Sequence, residues 1–358
     1  MKDSQRILIS SIAFQSNKIG SWTTRMNTFL DRNPNFFDVI LSPTNSVGKF
    51  QHCKKAKFPT YHSKLRNTVL LKVVAKDYLK ALERISKESN KMTLVVMDDP
   101  HLLEAVVKSK QQWNCEIEII YSFHGFKSTL DHLLLQGVNK MLFLTQSGYL
   151  ATKNTKFSFT PEVFIIGNGV DSKVFFPLDA VEKEKRRTEL GISPNEKVIL
   201  WMANERPIKG FQLFLKIASR LKTKHKNLKF LAIGTDRVGI EEEIEYLGRI
   251  PNNELPHYLQ AGDVYLFTSL CREGFGLSGI EALKCGNTVI ASDNGGIAEV
   301  LENLPNTHLI HSPNITDEWV KTIERLLVMQ PNPISNDQSS SIWNYEDWES
   351  RFIHSIQS

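Results

Sequence analysis

EGFGLSGIEALKCGNTVIASDNGG, residues 273–296, sets glycine, carboxylate and apolar positions in the pattern of a loop, a helix and a strand. A strand ending at Thr268 feeds a loop, Gly274 and Gly276 open a helix over 277–284, and Cys285 and Gly286 stop it, glycine suiting the left-handed cap. A second strand, 288–291, runs into the turn SDNGG. Strand, helix and strand in this order form the unit of a parallel sheet. The glycines let a ligand approach the backbone, and the start of a helix offers unpaired N–H groups and a partial positive charge. Gly274, Phe275, Gly276 and Leu277 are therefore a candidate phosphate cradle.

Two carboxylates flank that cradle. Glu273 lies just before the helix, and Glu281 stands roughly 6 Å up its axis. With a diphosphate on the helix start, one carboxylate reaches the hydroxyls of a ribose and the other those of a sugar on the opposite side, since carboxylates accept from paired hydroxyls. Sugar, diphosphate and ribose is the order of a nucleotide sugar.

A bound diphosphate also needs cations, and WMANERPIKGF, residues 201–211, places Arg206 and Lys209 in the loop after another strand. Ligands of α/β sheets bind at the carboxyl ends of strands. Arginine can bind phosphate in a bidentate manner and lysine as a point charge. Either residue alone reads as surface charge; together, beside the glycine-started helix, they read as a diphosphate clamp. With that clamp and the helix dipole carrying the leaving-group charge, no metal ion or other cofactor is expected. Asp98 and Asp99 read as caps of a proline-started helix and not as a metal-binding pair.

Outward from this core, short branched apolar runs alternate with amphipathic segments. Strands are predicted at 6–13, 37–41, 92–97, 116–122, 140–145 and 163–166, then at 197–202, 228–233, 244–247, 264–268 and 288–291. Two α/β domains in tandem follow, 1–170 and 171–342, joined by a linker near 168–180. Residues 331–341 (PNPISNDQSSS) read as a surface connection, and a closing aromatic helix is predicted over 343–356.

The chain has 358 residues, 41% hydrophobic and 23% charged, which suits two globular domains and excludes a small disulfide scaffold or a disordered chain. No run approaches the 18 or more apolar residues of a membrane span. The start lacks a signal-peptide pattern, and Cys53, Cys115, Cys271 and Cys285 form no CxxC pair, so a reducing cytoplasmic setting is expected. The net charge of +5 hides an asymmetry: residues 1–170 hold 23 Lys+Arg against 13 Asp+Glu, and the remainder 21 against 26. Between Lys49 and Lys91 there are 12 basic and 3 acidic residues. Solvated helix surface is the plain reading; an anionic partner, such as a membrane surface, is the sharper one.

The Glu273 and Glu281 spacing, the EGFGL start, the EALKCG helix, the SDNGG loop and NGVDSKVFFP (168–177) together resemble the retaining glycosyltransferases of family 4. That resemblance implies a GT-B fold, two Rossmann-like domains with parallel sheets facing across a cleft, the closing helix (343–358) crossing back to the first. It implies that Glu273 contacts the donor sugar, Glu281 the ribose, and Arg206 and Lys209 the diphosphate. It places His124, in YSFHGFK, against the transferred sugar, and the backbone at Arg249 and Ile250 beside the base. The second domain would hold a UDP- or GDP-sugar. The first would hold a glycan or lipid-linked acceptor, as in synthesis of cell-surface polysaccharide, lipopolysaccharide or glycolipid, with a hexosyl or N-acetylhexosaminyl unit transferred. The chain departs from the family at Thr288, where proline is frequent, and at Gly20, which stands alone where many members have a glycine pair. Two other readings are open on residues alone: a nucleotide-sugar epimerase of the same architecture, or a basic binding module, which leaves the glutamates and glycines idle. Nucleic acid is not an expected partner.

Overall fold

The computed structural model describes residues 2–14, 21–58, 65–242, 244–329 and 332–358. Gly20 lies outside them, as do Tyr61 and Lys64 of the basic stretch. The chain divides into two compact units, Met1–Ile166 with Glu349–Ser358, and Gly167–Trp348.

The first unit is built on seven strands: β1 (Gln5–Ser10), β2 (Val39–Ser42), β3 (Phe50–His52), β4 (Lys91–Met97), β5 (Glu116–Ser122), β6 (Lys140–Phe143) and β7 (Glu162–Ile165). They lie in the order β3-β2-β1-β4-β5-β6-β7, and every neighbouring pair is parallel. Parallel strands are covered by helices on both faces, so they read as continuous apolar runs. β1 and β4 do so: Ile7, Leu8, Ile9, Leu94, Val95 and Val96 are all fully buried.

The second unit repeats the plan with β8 (Lys197–Met202), β9 (Leu228–Ile233), β10 (Val238–Glu241), β11 (Ile244–Gly248), β12 (Val264–Phe267), β13 (Thr288–Ser292) and β14 (Thr307–Ile310), in the order β10-β11-β9-β8-β12-β13-β14. Only the β10–β11 hairpin at the edge is antiparallel. The order reverses between β8 and β12. At such a switch point the loops leave the strands in opposite directions and open a crevice. Trp201, Phe211, Phe214 and Phe230 pack beneath it, with the Trp201 and Phe214 rings stacked 5.7 Å apart.

Three strands absent from the sequence reading, β3, β10 and β14, are edge strands or belong to an edge hairpin. The connection expected over 331–341 is helical at Asn336–Ser341, because Ser335 and Gln338 form a reciprocal capping box. The final helix starts at Tyr345 and not at Trp343, whose backbone adopts φ 41°.

At the far end of the second sheet, Asp263 accepts from Val198 N–H at 2.8 Å and from Lys183 at 3.3 Å, and pairs with Arg187. Burial alone would raise its pKa, but Lys183 and Arg187 outweigh burial and hold it below the usual value. Removing one partner of this partly buried ion cluster leaves the others uncompensated. Asp263→Asn should therefore cost about 1–3 kcal/mol at pH 7, between the values for exposed and for buried pairs. Because the folded-state pKa is depressed, the gap between variant and wild type should be full above the unfolded carboxyl pKa of 3.8 and close as acid protonates the wild-type group. Urea titrations across pH check this; a gap that does not change with pH would count against it.

Candidate active site

The loops after β8 and β12 meet at the switch point. After β8 a short turn, Pro207–Lys209, ends at Gly210 in the left-handed region, φ 74°. A side chain there would collide with the Thr268 carbonyl, so glycine is required for the two loops to touch. Thr268 ties them: its hydroxyl accepts from the Trp201 indole at 2.9 Å and faces the carbonyls of Lys209 and Gly210 at 3.1 and 3.0 Å. The Ile208 carbonyl takes the N–H groups of Leu270 and Cys271.

This framework presents Lys209 to Glu273. Lys209 Nζ lies 2.6 Å from Glu273 Oε1, Ser269 Oγ donates to the same oxygen at 2.5 Å, and Cys271 Sγ stands 3.5 Å away. The backbone of Glu273 is clasped by the SDNGG loop, with Gly296 N–H donating to its carbonyl at 2.7 Å. Ser269 and Thr268 carry no motif of their own. Their position at the carboxyl end of β12, four and five residues before Glu273, is the signal that marks them.

Gly274 and the buried Phe275 lead into the helix Leu277–Lys284, whose N-cap, Gly276, has φ 89° and no side-chain cap. The start of this helix therefore remains open to an acceptor. Phe275 packs edge-on against Trp343 at 5.0 Å, and the Trp343 indole donates to the Val300 carbonyl at 3.0 Å. At the helix end the fully buried Lys284 donates to the carbonyls of Ser339 and Ile342, and burial lowers its pKa to about 8. Residues 339–343 thus brace both ends of the helix.

Glu281 sits mid-helix, 5% exposed. No described residue hydrogen-bonds its carboxylate, and burial raises its pKa to about 7. Arg206 is not drawn into the Lys209–Glu273 pair; its Nε donates instead to Asn204 Oδ1 at 2.9 Å and the residue is exposed. Arg249, at the end of β11, forks onto Asp236 at 3.0 and 2.7 Å, and the neighbouring Ile250 is buried.

In the first unit, His124 follows β5. Its Nε2 lies 3.1 Å from Ser122 Oγ, and its ring meets Trp22 edge-on at 5.3 Å. Burial, and then the Arg25 charge, lower its pKa to about 3, so the imidazole is neutral at physiological pH. Asp99 caps the helix Pro100–Ser109, but Asp98, read from sequence as a cap too, is not one. It adopts φ 42° and accepts the His124 N–H at 3.0 Å, because the β4 and β5 loops converge there.

Two doubly wound units, the second with its ligand-type loops at the switch point, define the GT-B fold. Residues 182–339 match the family model described as glycosyl transferases group 1. Among curated relatives, the phosphatidylinositol N-acetylglucosaminyltransferase GPI3 subunit of Saccharomyces cerevisiae (strain YJM789) is 27% identical over 205 residues, 51% of this chain and 43% of that one. The N-acetyl-alpha-D-glucosaminyl L-malate synthase of Bacillus anthracis is 26% identical over 224 residues, 57% of each. The chain thus spans about half the length of these relatives. Among solved structures, Anabaena HepE in complex with UDP and glucose is 17% identical, covers 99% of both chains and superposes with a TM-score of 0.70, a likeness of fold.

Proposed function

We propose that the chain moves a hexosyl or N-acetylhexosaminyl unit from a nucleoside-diphosphate sugar to a glycan or lipid-linked acceptor, with retention of configuration. The observation that carries this reading is the pair of carboxylates about an uncapped helix start, one gripped by Lys209 and Ser269, the other buried without a hydrogen-bond partner among the described residues. In this reading the diphosphate caps the helix at Leu277, Glu281 takes the ribose hydroxyls, and Glu273 takes those of the donor sugar. Lys209, joined by Arg206 once it swings from Asn204, neutralises the charge that grows as the diphosphate leaves. The base rests at Arg249 and Ile250. The first unit holds the acceptor, and its neutral His124 donates or accepts at the transferred sugar. No enzyme nucleophile is assigned, and no metal ion is assigned a role.

The relatives' names point to N-acetylglucosamine, and the structural neighbour's ligand points to UDP; a GDP-sugar is the second choice. A panel of UDP- and GDP-sugars, scored by thermal stabilisation and by product with and without acceptor, tests this, since a ligand of the folded state raises its apparent stability. Stabilisation by one donor, with a new glycoside formed only when acceptor is present, is expected. A new sugar formed from donor alone, or no stabilisation by any nucleotide, would overturn the reading.

A further inference from the structure

Part of the charge asymmetry lies on a helical stripe. Residues 66–86 form three successive helical segments, Arg66–Val69, a π-helical turn at Leu70–Val74 and, after a bend at Ala75, the α-helix Lys76–Ser86. Leu70, Val74, Tyr78 and Leu82, each four residues apart, are fully buried. Lys72, Lys76, Lys80 and Arg84 repeat at the same spacing, displaced by two residues, which is about 200° round the axis, and all four are exposed.

A plain α-helix would skew such stripes, because each four-residue step overshoots a full turn by about 40°. Over the three steps from Leu70 to Leu82 the drift would reach about 120°. The π-turn, closed by Ala75 N–H to Leu70 C=O at 2.9 Å, inserts one extra residue and takes back about 100° of it. The four-residue repeat of buried and of basic positions is thereby kept in step through the π-turn, the basic set spanning about 18 Å of chain rise.

Among the neighbouring cations, Lys55 pairs with Asp99, Arg66 with Glu104, Lys87 with Glu83 and Lys91 with Glu116, while the exposed Lys54 and Lys57, without an ion pair among the described residues, extend the unpaired set just before the helical segments. Arg84 donates to the neutral Gln51. Lys72, Lys76 and Lys80 have no ion-pair partner among the described residues, and two apolar side chains stand exposed beside them, Val73 at 54% and Leu65 at 63%. Where the stripe ends, Lys80 and Arg84 line a groove of about 600 Å³ floored by Phe50 and Cys53. The carboxylate facing this groove is Asp77, whose Oδ2 accepts the Lys54 N–H at 3.2 Å.

We infer that this stripe is a docking surface for an anionic lipid bilayer, with Lys72, Lys76 and Lys80 over the headgroups, Val73 and Leu65 at the acyl boundary, and the Lys80–Arg84 groove open to a headgroup phosphate. Apolar side chains among unpaired lysines suit a lipid interface, where apolar burial and charge act together; a nucleic-acid backbone would use the charge alone. The docking does not depend on the transfer reading, and its test measures no transfer.

The full chain is sedimented with vesicles of phosphatidylcholine, alone or mixed with phosphatidylglycerol. Binding is expected only to the mixed vesicles and should weaken with added NaCl. Each stripe lysine removed should reduce the vesicle association constant about fivefold, and Lys72→Gln/Lys76→Gln/Lys80→Gln together about a hundredfold. Lys185→Gln/Lys216→Gln/Lys226→Gln in the second unit should change it little. Circular dichroism confirms that the variants remain folded. The inference falls if the stripe variant binds as wild type does or if wild type does not bind mixed vesicles. It also falls if inorganic phosphate displaces the vesicles more than NaCl of equal ionic strength, or if the stripe binds duplex DNA in preference to lipid.

Discussion

Lys209→Ala should lower turnover about 10²- to 10³-fold while leaving the fold intact. Without donor, Lys209 is bound to Glu273 at 2.6 Å, so the site stands self-neutralised. A diphosphate would draw the ammonium toward itself and free the carboxylate for sugar hydroxyls, which makes one residue both guard and clamp. In the proposed transfer, charge on the diphosphate would grow as the sugar leaves, so the lysine would interact more strongly with the transition state than with the bound donor. The loss should accordingly fall mainly on kcat, with a smaller rise in KM. Arg206→Ala should cost less than Lys209→Ala, since Arg206 begins from an exposed position on Asn204 and must move to engage. The Lys209–Glu273 pair is partly open to water, and such pairs contribute about 1 kcal/mol or less to stability. An unchanged melting temperature beside a lost activity would therefore separate chemistry from folding. Turnover near wild type in Lys209→Ala would remove the diphosphate assignment.

The interior of both sheets was readable because burial on two faces forces long apolar runs, as in KVILWM of β8 and KMTLVVM of β4. Edge strands escape that rule. All four residues of β10, VGIE, are exposed; β14, THLI, is mostly half-buried; and β3 has three residues. Their pairing is decided by neighbours distant in sequence, so local pattern carries little trace of them. The same limit applies around the candidate site. The spacing of Glu273 and Glu281 about a helix start is local and legible. Trp343 is 68 residues from the Phe275 it braces, and no local pattern marks a tryptophan for positive φ. Charge counting found a basic first half but could not separate the lysines that face carboxylates from those left to the solvent. That separation needed the ion pairs of the folded chain, such as Lys55 with Asp99 across 44 residues.

Glu281→Gln should make the protein more stable at pH 8 and poorer at holding its donor. Burial raises the Glu281 pKa to about 7, against 4.5 for the ordinary carboxyl. For a raised acid pKa the sign is definite: below 4.5 the group is protonated in folded and unfolded chains alike, and the folded state is not penalised. As pH rises, the unfolded chain ionises first and wild-type stability declines until the folded group ionises near 7, after which the cost levels off at about 3 kcal/mol. Glutamine carries no such cost. Wild type and variant should therefore melt together near pH 4 and diverge by about 6–12 °C at pH 8. A carboxylate buried at that cost without a hydrogen-bond partner among the described residues is explained if a ligand supplies the partners, as the two hydroxyls of a ribose would. Replacing a charged acceptor by a neutral amide should then weaken binding of UDP or GDP, whichever wild type binds, about 10- to 100-fold. The two measurements pull apart the alternatives. A structural carboxylate would give the stability change with unaltered nucleotide affinity, and a melting difference that stays constant from pH 4 to 8 would show that the charge is not what burial opposes.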